Sequence, residues 1–194
     1  MRFLKILVVI VLLSGCSQSH TPKPRGFFRI EFPEKSYSKL QGDFPYEFEV
    51  PDYSTIQNNR NNPDEKYWIN VEIPENKAEI HFSYYDLQNH KEPTRQLLFK
   101  LMEETRELAY KHSIKATAID EKLFINKPDE VYGTIYQIHG NAASPMQFFL
   151  TDSTKHFLRG AFYIREVPDI DSLRPVIDFI EPDVIRMIET THWK

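Results

Sequence analysis

Short runs in which apolar and polar residues partly alternate open the chain's folded part. Gly26–Phe32 (GFFRIEF) and Tyr46–Val50 (YEFEV) have this character between bounding prolines, and both predict strands. From Pro51 to Lys66 the sequence turns to asparagine, proline and charge with little apolar content, which predicts a surface loop. Tyr67–Ile73 (YWINVEI) and Ala78–Tyr84 (AEIHFSY) flank Pro74-Glu75-Asn76-Lys77, whose turn chemistry predicts an antiparallel hairpin.

The period then changes. From Pro93 to Lys111, Leu97, Leu98, Leu101 and Leu108 recur near the helical repeat with Lys, Arg and Glu between them, and Pro93 suits a first turn. Four aromatic or β-branched runs follow, Ala116–Ile125, Val131–His139, Met146–Thr151 and Phe157–Arg165. Turn chemistry such as Gly140-Asn141 and Asp152-Ser153 separates them, so they predict an antiparallel meander. A second helix is expected from Asp171 to about Thr190, with Ile177, Ile180, Val184, Met187 and Ile188 on one face. Asp171 can cap it, and Pro182 should kink or split it. The sum is an α+β fold, an antiparallel sheet with two packed helices, and the order of the second half looks like the PsbP/Mog1 sandwich.

The amino terminus has a different logic. Arg2 and Lys5 precede the apolar run Ile6–Leu13, and Ser14 and Gly15 lead into Cys16, the order of a secretory signal. Eight apolar residues fall short of the roughly 20 that span a bilayer as a helix, which disfavours a retained transmembrane anchor. Leu13-Ser14-Gly15-Cys16 resembles the lipobox of bacterial lipoproteins, in which the chain is cut between Gly15 and Cys16 and the cysteine carries diacylglycerol and an N-acyl chain. An ordinary thiol is the alternative reading of Cys16. Each buried CH₂ contributes about 0.8 kcal/mol, so one acyl chain holds marginally and two or more hold stably. Residues 17–25 (SQSHTPKPR) are polar and proline-rich, a tether and not a fold.

Three segments follow: a signal over 1–15, a lipidated cysteine and tether over 16–25, and one globular domain over 26–194. With Cys16 the sole cysteine, no internal disulfide can form, and the core itself must supply stability. Without the signal, 22 basic residues face 28 acidic ones, a net charge of −6 that argues against nucleic acid as a partner.

Little in the sequence points to catalysis. His-Glu-x-x-His, Gly-x-Ser-x-Gly and glycine-rich phosphate loops do not occur, and the seven histidines show no metal-ligand spacing, so neither metal nor cofactor is expected beyond the lipid on Cys16. The most suggestive polar cluster is His139-Gly140-Asn141-Ala142-Ala143-Ser144 with Gln147. It reads either as a binding loop presenting His139, Asn141, Ser144 and Gln147, or as a hairpin connection that needs Gly140 and Asn141 for its backbone. Trp68 and Trp193 are each open to a core or a partner-anchoring reading.

Longer blocks carry a resemblance. PKPRGFFRIEFP (22–33), YWINVEIP (67–74), LAYKHSIKA (108–116), VYGTIYQIHGNAASPMQFFLTDSTKHFLRGAFY (131–163) and the carboxyl-terminal DSLRPV and MIETTHWK together resemble the GldD family of gliding-motility lipoproteins. That resemblance implies a non-catalytic lipoprotein of the Bacteroidota cell envelope, needed for gliding and associated with type IX secretion. Its partners would be the membrane, through the lipid, and other envelope proteins of that machinery. Nothing acidic follows Cys16, which favours the periplasmic face of the outer membrane. The alternative is an envelope enzyme or ligand-binding lipoprotein with a pocket near His139, Asn141 and Gln147. The asparagine-rich stretch 52–66 is longer than the resemblance leads one to expect.

Overall fold

A seven-stranded antiparallel sheet organises the molecule. The computed structural model describes residues 30–167 and 169–194. The signal, the cleavage site at Gly15 and Cys16, the tether and most of the expected first strand therefore lie outside the described residues. In chain order the elements are β1 (Tyr37–Lys39), β2 (Tyr46–Glu47), β3 (Glu49–Pro51), β4 (Thr55–Asn58), β5 (Ile69–Ile73), β6 (Ala78–Asp86) and α1 (Thr94–Tyr110). After these come β7 (Ala116–Asn126), β8 (Val131–Gly140), β9 (Met146–Thr151), β10 (His156–Ile164), α2 (Ile170–Glu189) and β11 (His192–Trp193).

The large sheet runs β4-β5-β6-β10-β9-β8-β7, while β1 pairs with β3 and β11 with β2 in two-stranded ribbons. The meander β7 to β10 forms as its aromatic and β-branched runs and intervening turns predict, and β10 closes against β6 with Phe162 opposite Ile80 and Leu158 opposite Tyr84. In the β5–β6 hairpin the connection is a 3₁₀ turn over Pro74–Asn76, and Lys77 takes a left-handed conformation at φ 50°.

Strand alternation divides the side chains between two cores. On one face Val71, Ile80, Phe82, Phe148, Leu150 and Phe162 meet Val176, Ile180, Val184 and Met187 of α2, with Tyr46, Phe48 and Val50 closing the side. On the other face Tyr136, Ile138, Phe149 and Phe157 pack against Leu97, Leu101 and Ala109 of α1. Burying each such large apolar side chain contributes about 1.5–3 kcal/mol. The seam of α1 is Leu97-Leu101-Thr105-Ala109, a strict i+4 row, and Leu98 and Leu108 sit half-buried beside it. Because α1 covers mainly the β8–β9 side, the same face over β5 and the far parts of β6 and β10 carries the polar side chains Asn70, Glu72, Glu79, His81, Ser83 and Arg159. Edge strand β7 carries charge at its middle, on Asp120, Glu121 and Lys122, yet Leu123 is 80% and Ile125 61% exposed.

Several expectations need correction. Ile30–Phe32 is not a strand: Phe32 stacks on Phe179 of α2 with ring centroids 4.2 Å apart, so its apolar surface goes to a helix, and Pro33 has no N–H to donate. The run Tyr46–Val50 is two short strands that serve different partners. The 51–66 segment contains β4, paired to β5 with Ile56 opposite Val71. The helix α2 starts with Asp169 at its N-cap, and Asp171 lies in the first turn. Pro182 does not split α2. It faces solvent, where water can take the carbonyl that its missing N–H leaves free.

A buried carboxylate ties the amino-terminal segment to α2. Asp183 is fully buried and accepts hydrogen bonds from Lys35 Nζ at 2.5 Å, Tyr37 Oη at 2.6 Å and Tyr53 Oη. Both tryptophans are half-buried against the first core. Trp68 Nε1 donates to the Tyr84 carbonyl, and Trp193 stacks on His156.

Candidate functional site

The polar cluster around residue 140 is dispersed by the fold. Strand β8 ends at Gly140, whose φ of 94° suits glycine alone, and the Ile138 N–H bonds the Pro145 carbonyl to close the loop. His139 is exposed near the end of β8, its Nε2 3.0 Å from Asp120 Oδ2 on edge strand β7, and lines a cleft of about 430 Å³ between β8 and α2. Asn141 Oδ1 accepts from the Ile170 N–H at 2.8 Å and so caps α2. Ser144 is buried and donates to the Met146 carbonyl. Gln147, on β9 between Met146 and Phe148, faces the opposite side of the sheet from the cleft. Of the four, His139 alone lines the cleft; Asn141 is engaged in capping α2, Ser144 is buried in the loop and Gln147 faces the other side of the sheet.

A second constellation stands on the face that α1 leaves open. One residue in two of β5, β6, β9 and β10 points there, and the register aligns them in a row: Asn70 opposite His81, His81 opposite Ala161, Ala161 opposite Gln147. The next row sets Ser83 opposite Arg159. Ala161 contributes only a methyl between longer polar chains, and a hollow of about 150 Å³ opens above it. His81, Ser83, Arg159 and Tyr163 form the floor with Ala161. Trp68 and the Asn59, Asn61 and Asn62 stretch form one wall. That stretch is folded on itself, since Asn59 Oδ1 accepts the N–H groups of Asn61 and Asn62 at 3.0 and 3.1 Å.

The electrostatics of this face are uneven. Glu72 pairs with Arg60 and Arg165, and Glu79 with Arg165. Arg159, half-buried, has no ion-pair partner among the described residues, and its Nε makes no hydrogen bond. Asn70 Oδ1, His81 Nε2 and Gln147 Oε1 are likewise buried without a hydrogen bond. His81 Nε2 is 3.0 Å from Glu79 Oε1 but lacks the alignment of a bond. Burial, and then the charge of Arg159, hold the His81 pKa below its usual value, so the ring is neutral at pH 7. Sequence reasoning passed over Arg159 and His81. The available signal was a charged or polar residue at the inward period of otherwise apolar strands.

Among the described residues no three His, Cys, Asp or Glu side chains gather as a metal site, and no helix is long and apolar enough to cross a membrane.

The family described as gliding motility lipoprotein GldD matches residues 17–193. Comparison with curated protein sequences finds no match. Among solved structures, the solution structure of cyanobacterial PsbP (CyanoP) from Synechocystis sp. PCC 6803 is similar at 9% identity and a TM-score of 0.49, over 94% of this chain and 99% of that one.

Proposed function

The chain belongs to the GldD family of gliding motility lipoproteins, and on that premise we propose that it is a non-catalytic component or assembly factor of the gliding and type IX secretion machinery. In this reading Cys16 carries the lipid and holds the domain at the periplasmic face of the outer membrane, with residues 17–25 as the tether. The carrying observation is the family match over 17–193. The lipobox-like order Leu13-Ser14-Gly15-Cys16 supports the anchor. Asn141 and Ser144 are spent on holding the fold, which counts against the alternative of an enzyme or ligand pocket built on the 139–147 segment.

The test is a clean deletion complemented with wild type or with Cys16→Ala. Colony spreading and secretion of the motility adhesins should be lost in the deletion, restored by wild type and not by Cys16→Ala. Normal spreading and secretion in the deletion would refute the proposal.

A further inference from the structure

We propose that the hollow above Ala161 is a binding site for a carboxylate group, with the Arg159 guanidinium as its anchor. The site is distinct from the cleft at His139 and from the buried Asp183 cluster.

Glu72 and Glu79 are matched by Arg60 and Arg165, which leaves Arg159 as the uncompensated cation of this face among the described residues. Water can satisfy a guanidinium N–H but cannot neutralise its charge. A half-buried guanidinium with an Nε that makes no hydrogen bond is placed to gain charge-assisted hydrogen bonds from an anion that fits its fork.

Charge number and shape select the class of anion. His81 is neutral at pH 7, so with Glu72 and Glu79 matched the hollow offers one positive charge and suits a monoanion. A carboxylate matches the planar fork of arginine in a bidentate pair. The Ser83 hydroxyl in the floor is available for a second hydrogen bond, and Tyr163 in the floor and Trp68 in the wall give aromatic surface for a short carbon chain. A volume of about 150 Å³ is some five waters at roughly 30 Å³ each, enough for a carboxyl group with a few carbons. Two sources have this chemistry, a small free organic acid and the carboxyl terminus of a polypeptide.

The test uses the full chain, purified in detergent from the cell envelope, and reads the NMR shifts of the Trp68 indole N–H and the His81 ring. The probes are sodium acetate, the tripeptide Ala-Ala-Ala and its carboxyl-amidated form. Saturable shifts with acetate or the free tripeptide, at least tenfold weaker in Arg159→Gln, support the site. Ala161→Leu, which fills the hollow and leaves every charge in place, should abolish the same shifts and stands in if Arg159→Gln fails to fold. Tighter binding of the free tripeptide than of acetate assigns the source to a chain terminus, and the reverse assigns it to a free acid. The proposal is overturned if neither probe saturates, if the amidated tripeptide binds equally, if chloride or inorganic phosphate at matched ionic strength gives the same shifts, or if Ala161→Leu binds as wild type does.

Discussion

Asn141 Oδ1 receives the backbone N–H of Ile170 at 2.8 Å, so a loop residue at the end of β8 caps a helix that begins 29 residues later. Asp169, at the N-cap position, makes no side-chain cap bond. The long-range contact therefore replaces the local one. Asn141→Ala should cost about 0.5–2 kcal/mol, the usual cost of losing a cap. Asn141→Asp keeps the acceptor, adds a favourable charge at the helix amino terminus and should cost less. Denaturant midpoints of the three proteins check this; an Asn141→Ala midpoint equal to wild type would show that the contact contributes nothing.

Asp183 is the acceptor for Lys35, Tyr37 and Tyr53, three donors from the amino-terminal segment. Asp183→Ala should cost about 3–5 kcal/mol, because the tyrosine hydroxyls lose their acceptor inside the protein. Asp183→Asn keeps one acceptor oxygen and should cost about 1–3 kcal/mol. The same cluster makes stability sensitive to alkali. Burial and then Asp183 push the Tyr37 pKa up to about 12, and the same two causes raise Tyr53. A group with a raised folded pKa contributes stability that is complete below its unfolded pKa of about 10 and is lost as pH rises through the folded value. Unfolding midpoints should thus fall from pH 10 to 12, and less steeply in Tyr37→Phe than in wild type.

Local patterning told much of the fold in advance. Met146–Thr151, read as a strand from its aromatic-rich run, is β9 with the expected ends, and α1 differs from expectation by one residue at each end. Strand β4 was hidden because Ile56 is its sole inward apolar residue, and its β character comes from pairing with β5. The site was less legible for a geometric reason. Nearness in the chain suggested that His139, Asn141, Ser144 and Gln147 act together, yet strand alternation sends Gln147 through the sheet to the other face. His81 and Arg159 are far apart in sequence and become neighbours only through the β6–β10 register, which no local pattern specifies.

His156 should make the protein acid-sensitive. Its ring is buried, its Nδ1 lies 2.7 Å from Tyr84 Oη, and Trp193 stacks on it at 5.1 Å with planes 3° apart. Burial lowers its pKa, against the opposing charge of Asp152. Below its ordinary value of 6.5 the unfolded chain binds a proton that the folded ring resists, so stability falls as the pH drops from there towards the folded pKa. One such group gives a slope of at most about 1.4 kcal/mol per pH unit. Denaturant unfolding at pH 7 and pH 5 should show a larger loss for wild type than for His156→Gln. Burial lowers His81 and His112 as well, so part of the slope should survive the substitution. An unchanged slope would remove His156 from the account.

Gly160 is needed because of Phe148. The two residues are cross-strand partners in β10 and β9, and a Cβ on Gly160 would run into the Phe148 ring. That ring is fully buried against Phe82 and cannot swing into solvent. Gly160→Ala should therefore destabilise by about 1–3 kcal/mol through overpacking, although alanine suits a strand better than glycine does. The cause is testable by a double-mutant cycle. Phe148→Leu alone removes ring volume from the core and should cost stability, but it also vacates the space that the new methyl needs. The two substitutions together should then cost less than the sum of each alone, with a coupling of at least about 0.5 kcal/mol. Additive losses would mean that the glycine answers to its backbone conformation and not to the ring across from it.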